Sequence, residues 1–97
     1  MEVDINAGIV SKSLETYGSG IQLVACMEEL SELIQAIGKE IRSDKDNRNN
    51  IIKKMADVLI CIEILKQVFG ITDETIDARI AHKQERSLLK MNRHQTD

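Results

Sequence analysis

Apolar residues recur along this 97-residue chain at steps of four and three, the spacing that keeps side chains on one face of an α-helix. Val3, Ala7, Val10, Leu14 and Tyr17 predict a first helix over 3–17. Leu23, Met27, Leu30, Ile34, Ile37 and Ile41 predict a second, over about 19–42. Ile51, Met55, Val58, Ile62, Leu65 and Phe69 predict a third, over about 47–69. Ile76, Ile80 and Leu88 carry a fourth, over about 73–92, and His94 to Asp97 are expected to fray. Gly18-Ser19-Gly20 divides the first two segments, and the polar run from Ser43 to Asn50 divides the next two. Gly70 is placed to end the third helix, because glycine enters the left-handed conformation without steric cost. Ser19 with Gln22 has the capping-box spacing, and Thr72 or Asp73 suits the start of the fourth helix. β-branched residues crowd the third segment, but a four–three pattern running from Ile51 to Phe69 is too long for a strand.

These elements predict an all-α fold in one domain, 1–97: a helical bundle of about four helices around a long antiparallel central hairpin. A two-helix hairpin cannot cover its own apolar stripes. The bundle is therefore expected to be completed by oligomerisation, as a homodimer or homotetramer. Hydrophobic residues at 42% and charged residues at 30% fit a globular chain, and the absence of Pro argues against a turn-rich sandwich or barrel. One Tyr, one Phe and no Trp leave no stacking platform for single strands, and a net charge of −3 gives no reason to expect a nucleic-acid polymer as partner. Charges interrupt every apolar run, so no membrane span is expected. The start MEVDIN lacks the basic and apolar stretch of a secretory signal, which points to a cytoplasmic location. Cys26 and Cys61 sit in apolar helical patterns and read as small buried side chains.

The carboxylates interrupt this regular pattern. Between Ile21 and Ile37 the only charges are Glu28, Glu29 and Glu32, all of one sign, where a solvated helix face would mix Glu with Lys. Glu29 precedes the stripe residue Leu30, about 100° around the helix, so it borders the apolar face. In the third helix Asp57 is the single charge from Met55 to Ile62, and it precedes Val58 as Glu29 precedes Leu30. In an antiparallel pair the two can face one another across a groove. Carboxylates in apolar surroundings cost several kcal/mol each unless paired or neutralised. Grouped at i, i+3 on facing helices they suit a hard divalent cation such as Mg²⁺. A merely Glu-rich surface, with Glu28 simply solvated, is the plainer alternative.

Glu28-Glu29-Leu30-Ser31-Glu32 resembles the E-E-x-x-E element of the MazG-like, all-alpha nucleoside triphosphate pyrophosphohydrolases, and Ala56-Asp57-Val58-Leu59-Ile60 is similar to the end of their E-x-x-D element and the apolar run after it. Tyr17-Gly18 with Gln22 is similar to the lead-in of short members, and the resemblance spans roughly residues 14–90. It implies an oligomeric helical bundle that cleaves a nucleoside triphosphate to the monophosphate and pyrophosphate with Mg²⁺, or Mn²⁺ in its place, in a housekeeping role against non-standard nucleotides. Glu29, Glu32 and Asp57 would be metal ligands, and Glu28 a catalytic auxiliary that orients or deprotonates the attacking water.

One residue departs from the family's pattern. Lys54 stands where the second element has Glu, with Lys53 beside it, and an ammonium repels a cation rather than ligating one. Lys54 is suited to pair with Asp57 or Glu32, while Glu63, two turns on from Asp57, is an alternative carboxylate. This departure supports a second reading, a catalytically decayed MazG-like oligomer serving as a binding or structural module. In the fourth helix Arg79, Lys83, Arg86, Lys90 and Arg93 form a basic stripe. The resemblance makes Lys83 and Arg86 the phosphate-binding candidates, expected nearest the bundle; a solvated face, or pairing with another subunit's acids, is the alternative. His82 and His94 lack partners at zinc-ligand spacing, and Gly18 and Gly20 lack the Lys-Ser/Thr of a phosphate loop.

Overall fold

The computed structural model describes residues 4–43 and 46–96, and the described chain is all-α. Four helices follow in order: α1 Ala7–Tyr17, α2 Ser19–Arg42, α3 Arg48–Phe69 and α4 Asp73–Thr96. Two of their boundaries and one cap differ from the pattern-based expectation. The first helix starts at Ala7 rather than at residue 3, because the Asn6 side chain accepts the Ile9 N–H at 3.2 Å and caps it there; Val3 lies outside the described residues. Ser19 does not cap α2. Gly18, at φ +84°, donates its N–H to Leu14 and accepts that of Gln22 through its carbonyl, so one residue ends α1 and starts α2. Ser19 is drawn inside the helix as a result. Finally, α4 continues to Thr96 instead of fraying near 92, since no Gly or Pro follows Gly70 to stop it; Asp97 lies outside the described residues.

The other punctuation is as the pattern predicts. Gly70 adopts the left-handed conformation (φ 64°, ψ 37°), and the Ile71 N–H returns to the Lys66 carbonyl at 2.9 Å, closing α3 with a Schellman-type turn. Thr72 Oγ1 accepts the Thr75 N–H at 3.2 Å at the start of α4. The α2–α3 connection, of which residues 44 and 45 lie outside the described residues, is tied back to α2 by Asn47. Its backbone N–H donates to Glu40 at 2.7 Å and its amide to the Ala36 carbonyl at 2.9 Å.

α2 and α3 form the antiparallel hairpin, and α1 packs against both. The seam between the long helices is displaced by one residue from the expected apolar stripes. On α2 it is built by Cys26, Glu29, Leu33 and Ala36, where the stripe is Met27, Leu30, Ile34 and Ile37. On α3 it is built by Asp57, Cys61, Ile64 and Val68, where the stripe is Val58, Ile62, Leu65 and Phe69. One residue is about 100° of helix, so much of each stripe faces outward: Met27 is 69% exposed, Ile34 71% and Ile41 80%. Because the helices are antiparallel, the same rotation turns both stripes toward one side of the hairpin. The small core lies at the other end of the hairpin from its loop, where Val10 of α1 meets Cys26, Cys61 and Ile64, with Ile5, Leu14 and Val68 against them. Small residues in the seam, Cys26 and Ala36, let the two backbones approach closely.

Among the described residues, α4 packs on none of the other three helices. It is held at its first turn, where Lys66 of α3 forms an ion pair with Asp73 and a second, at 2.9 Å, with Glu63. Gln67 extends this group to α1, bonding Ser11 and the Ala7 carbonyl.

The one-residue displacement ranks core positions differently from the apolar pattern. Ile64→Ala is expected to cost about 2–5 kcal/mol by urea denaturation, as for a buried large-to-small change. Ile41→Ala should stay within about 0.5 kcal/mol in the isolated chain, as for exposed positions. The opposite ranking would show that the expected stripe is the true seam.

Candidate functional site

The displacement of the seam carries the acidic residues with it. Glu29 is not at the border of the packing face but within it, opposite Asp57, and Glu32 follows one turn later. Lys54 enters from α3, three residues before Asp57. Its ammonium lies 2.6 Å from Glu32 Oε2 and 3.9 Å from Asp57 Oδ2. The facing of Glu29 and Asp57 expected from their equivalent positions is therefore present, and so is the expected pairing of Lys54, with both Glu32 and Asp57.

The electrostatics follow from this arrangement. Burial, the facing Asp57 and the nearby Glu32 raise the pKa of Glu29, with Lys54 acting against them. One of its carboxylate oxygens, Oε2, is buried and has no hydrogen-bond partner. Glu32 has the opposite shift, because the hydrogen bond and charge of Lys54 lower its pKa. The same contact raises the pKa of Lys54. Half-exposed Glu32 is thus satisfied, while less accessible Glu29 is left short of donors. Beneath them, burial pushes the Cys61 thiol up to about 12, assisted by Cys26, Glu29 and Asp57. A thiol held protonated in this way is not an activated nucleophile.

The remaining candidates lie apart from this cluster. Glu28 is exposed and makes no hydrogen bond or ion pair among the described residues. Glu63 belongs to the Lys66 group, where it accepts from Lys66 and Gln67 at 2.9 Å each, so it supplies no carboxylate to the groove. Lys83 and Arg86 are exposed on α4, which packs against none of the other helices; in a single chain they do not stand beside the bundle as expected. The Lys66 group itself was not singled out from the sequence. Glu63, Lys66 and Gln67 at i, i+3 and i+4 were its available signal.

The chemistry of the donor set suits a cation: three carboxylates, one with a buried oxygen short of a donor, gathered around a positive charge. The cation in this structure is the Lys54 ammonium. Among the described residues no three acidic, His or Cys side chains are arranged to hold a metal ion. The groove therefore fits a divalent ion in ligand type but not in geometry while Lys54 is seated, and an ion would have to displace the ammonium. No family model matches the chain, and no curated protein or solved structure matches it either.

The raised pKa of Glu29 gives a pH signature. A carboxyl whose pKa is raised on folding favours the folded state while protonated, and that advantage is lost as pH rises from its ordinary value of 4.5 through its raised folded value. Glu29→Gln is therefore expected to raise the melting temperature at pH 7. The gain should shrink steadily as pH is lowered toward 4.5. A gain independent of pH would show that the carboxylate's charge is not the cause.

Proposed function

We propose that this chain is a MazG-like nucleoside triphosphate pyrophosphohydrolase, cleaving a nucleoside triphosphate to the monophosphate and pyrophosphate. The observation that carries the reading is the convergence of Glu29, Glu32 and Asp57, from two helices, around a single cation. These are the carboxylates that the resemblance assigns to Mg²⁺, or Mn²⁺ in its place. Such an ion, when bound, supplies charge neutralisation at phosphate and an activated water. Glu28, exposed beside the groove, has the freedom to orient that water, and Lys83 and Arg86 are the cations offered to phosphate. Since α4 leaves them away from the groove of their own chain, the reading assigns them to the groove of a second subunit. The outward apolar faces of α2 and α3 favour such a homodimer or homotetramer. The reading carries a cytoplasmic location with it. No described helix is long and apolar enough to cross a membrane.

A specific contact favours a second reading. Lys54 at 2.6 Å from Glu32 gives the groove its own cation, and a groove neutralised from within does not need a metal. On this reading the chain is a decayed member that retains the helical scaffold as a binding or structural module.

Pyrophosphate release from a panel of ribo- and deoxyribonucleoside triphosphates, with Mg²⁺ or Mn²⁺, separates the two. The native chain is expected to turn over slowly and Lys54→Glu at least about tenfold faster, the factor that corresponds to about 1.4 kcal/mol. Glu29→Gln should abolish turnover in either background. Activity confined to Lys54→Glu identifies a decayed site. No turnover in any form, with no metal-dependent rise in melting temperature, removes the hydrolase reading.

A further inference from the structure

Cys26 and Cys61 are the only cysteines of the chain, and both lie in the seam. They are 2% and 4% exposed. The Cys26 thiol donates toward the Cys61 carbonyl at 3.9 Å, and both residues belong to the one buried cluster between the helices. Cys26 is three residues before Glu29 and Cys61 four after Asp57, so the pair lies one helical turn from the groove. A single buried cysteine acts as a small hydrophobe. Two that meet from different helices, 35 residues apart in sequence, are also an oxidisable dithiol.

We propose that Cys26 and Cys61 form a reversible disulfide site, closed by a low-molecular-weight disulfide such as oxidised glutathione, that staples α2 to α3 beside the carboxylate groove. The exchange balances in two steps. One cysteine thiolate attacks the reagent's sulfur, forming a mixed disulfide and releasing one reagent thiolate. The second cysteine then attacks the protein sulfur of that mixed disulfide, forming the Cys26–Cys61 bond and releasing the second reagent thiolate. The two cysteine protons end on the two released thiols; the protein dithiol is oxidised and the reagent disulfide reduced.

The burial of the pair sets its behaviour. In the closed seam neither thiol is open to a reagent, so reaction follows the opening of α2 from α3. Once formed, the bond prevents that opening and constrains the unfolded chain through the loop between the two helices, which raises thermal stability. Neither effect depends on the metal or on catalysis, so the inference stands apart from the pyrophosphohydrolase reading.

The test is incubation of the full chain with oxidised glutathione at neutral pH, followed by intact mass, thiol titration in denaturant and melting temperature. The expected product is a monomer lacking two hydrogens, with both thiols lost together, a higher melting temperature, and full reversal by dithiothreitol. Cys26→Ser and Cys61→Ser should each fail to give it, their remaining thiol ending free or as a glutathione adduct. A stable glutathione adduct on the native chain, or a disulfide-linked dimer, would overturn the proposal. So would native thiols left unreacted while the urea-unfolded chain is oxidised in parallel.

Discussion

Closing α2 against α3 brings Glu29 and Asp57 face to face, and the Lys54 ammonium offsets that repulsion. Like charges brought together repel unless a positive charge accompanies them. Lys54 supplies that charge from the same helix as Asp57, and its strongest contact is with Glu32 across the seam. The compensation is uneven, because Glu29 keeps a buried oxygen without a donor. Packing of α1 over Cys26, Cys61 and Ile64 depends on the same closure.

The seam is narrow for its length. Small and charged residues alternate in it with Leu33, Ile64 and Val68, while Met27, Ile34 and Ile41 are among the larger apolar side chains left exposed. This division gives each face a separate task. The inner face holds the polar chemistry at a close helix–helix approach, and the outer face offers apolar area for association. A second charged group, Lys66 with Glu63, Gln67 and Asp73, ties α3 to α1 on one side and to the first turn of α4 on the other. Beyond that turn α4 is free of the hairpin, so its basic stripe is displayed rather than buried.

The identity of the cation in the groove separates an enzyme from a scaffold. A divalent ion and an ammonium both neutralise carboxylates, but only the ion also presents open coordination positions to phosphate and water. Lys54 brings one charge, already tethered to the chain, hydrogen-bonded to Glu32 and paired at longer range with Asp57. The family resemblance rests on the acids, and the departure from it rests on this one residue. Both meet within a few ångströms.

Helix number, helix type and most boundaries were legible in the apolar period, because a four–three repeat over twenty residues admits no other regular structure. Gly70 and Thr72 were legible too, since a left-handed turn and a capping hydroxyl are local needs met by local residues. The grouping of Glu29, Glu32, Asp57 and Lys54 could be anticipated from equivalent positions on two antiparallel helices. Which face of each helix turns inward was decided only in the tertiary structure. Apolar residues mark a face that avoids water, but they do not say whether it is covered by the same chain or by another. Here close approach along Cys26 and Ala36, with a charge to neutralise the acids between them, set the rotation of the hairpin by about one residue. Periodicity within a single helix does not carry that information, because the rotation is a property of the pair.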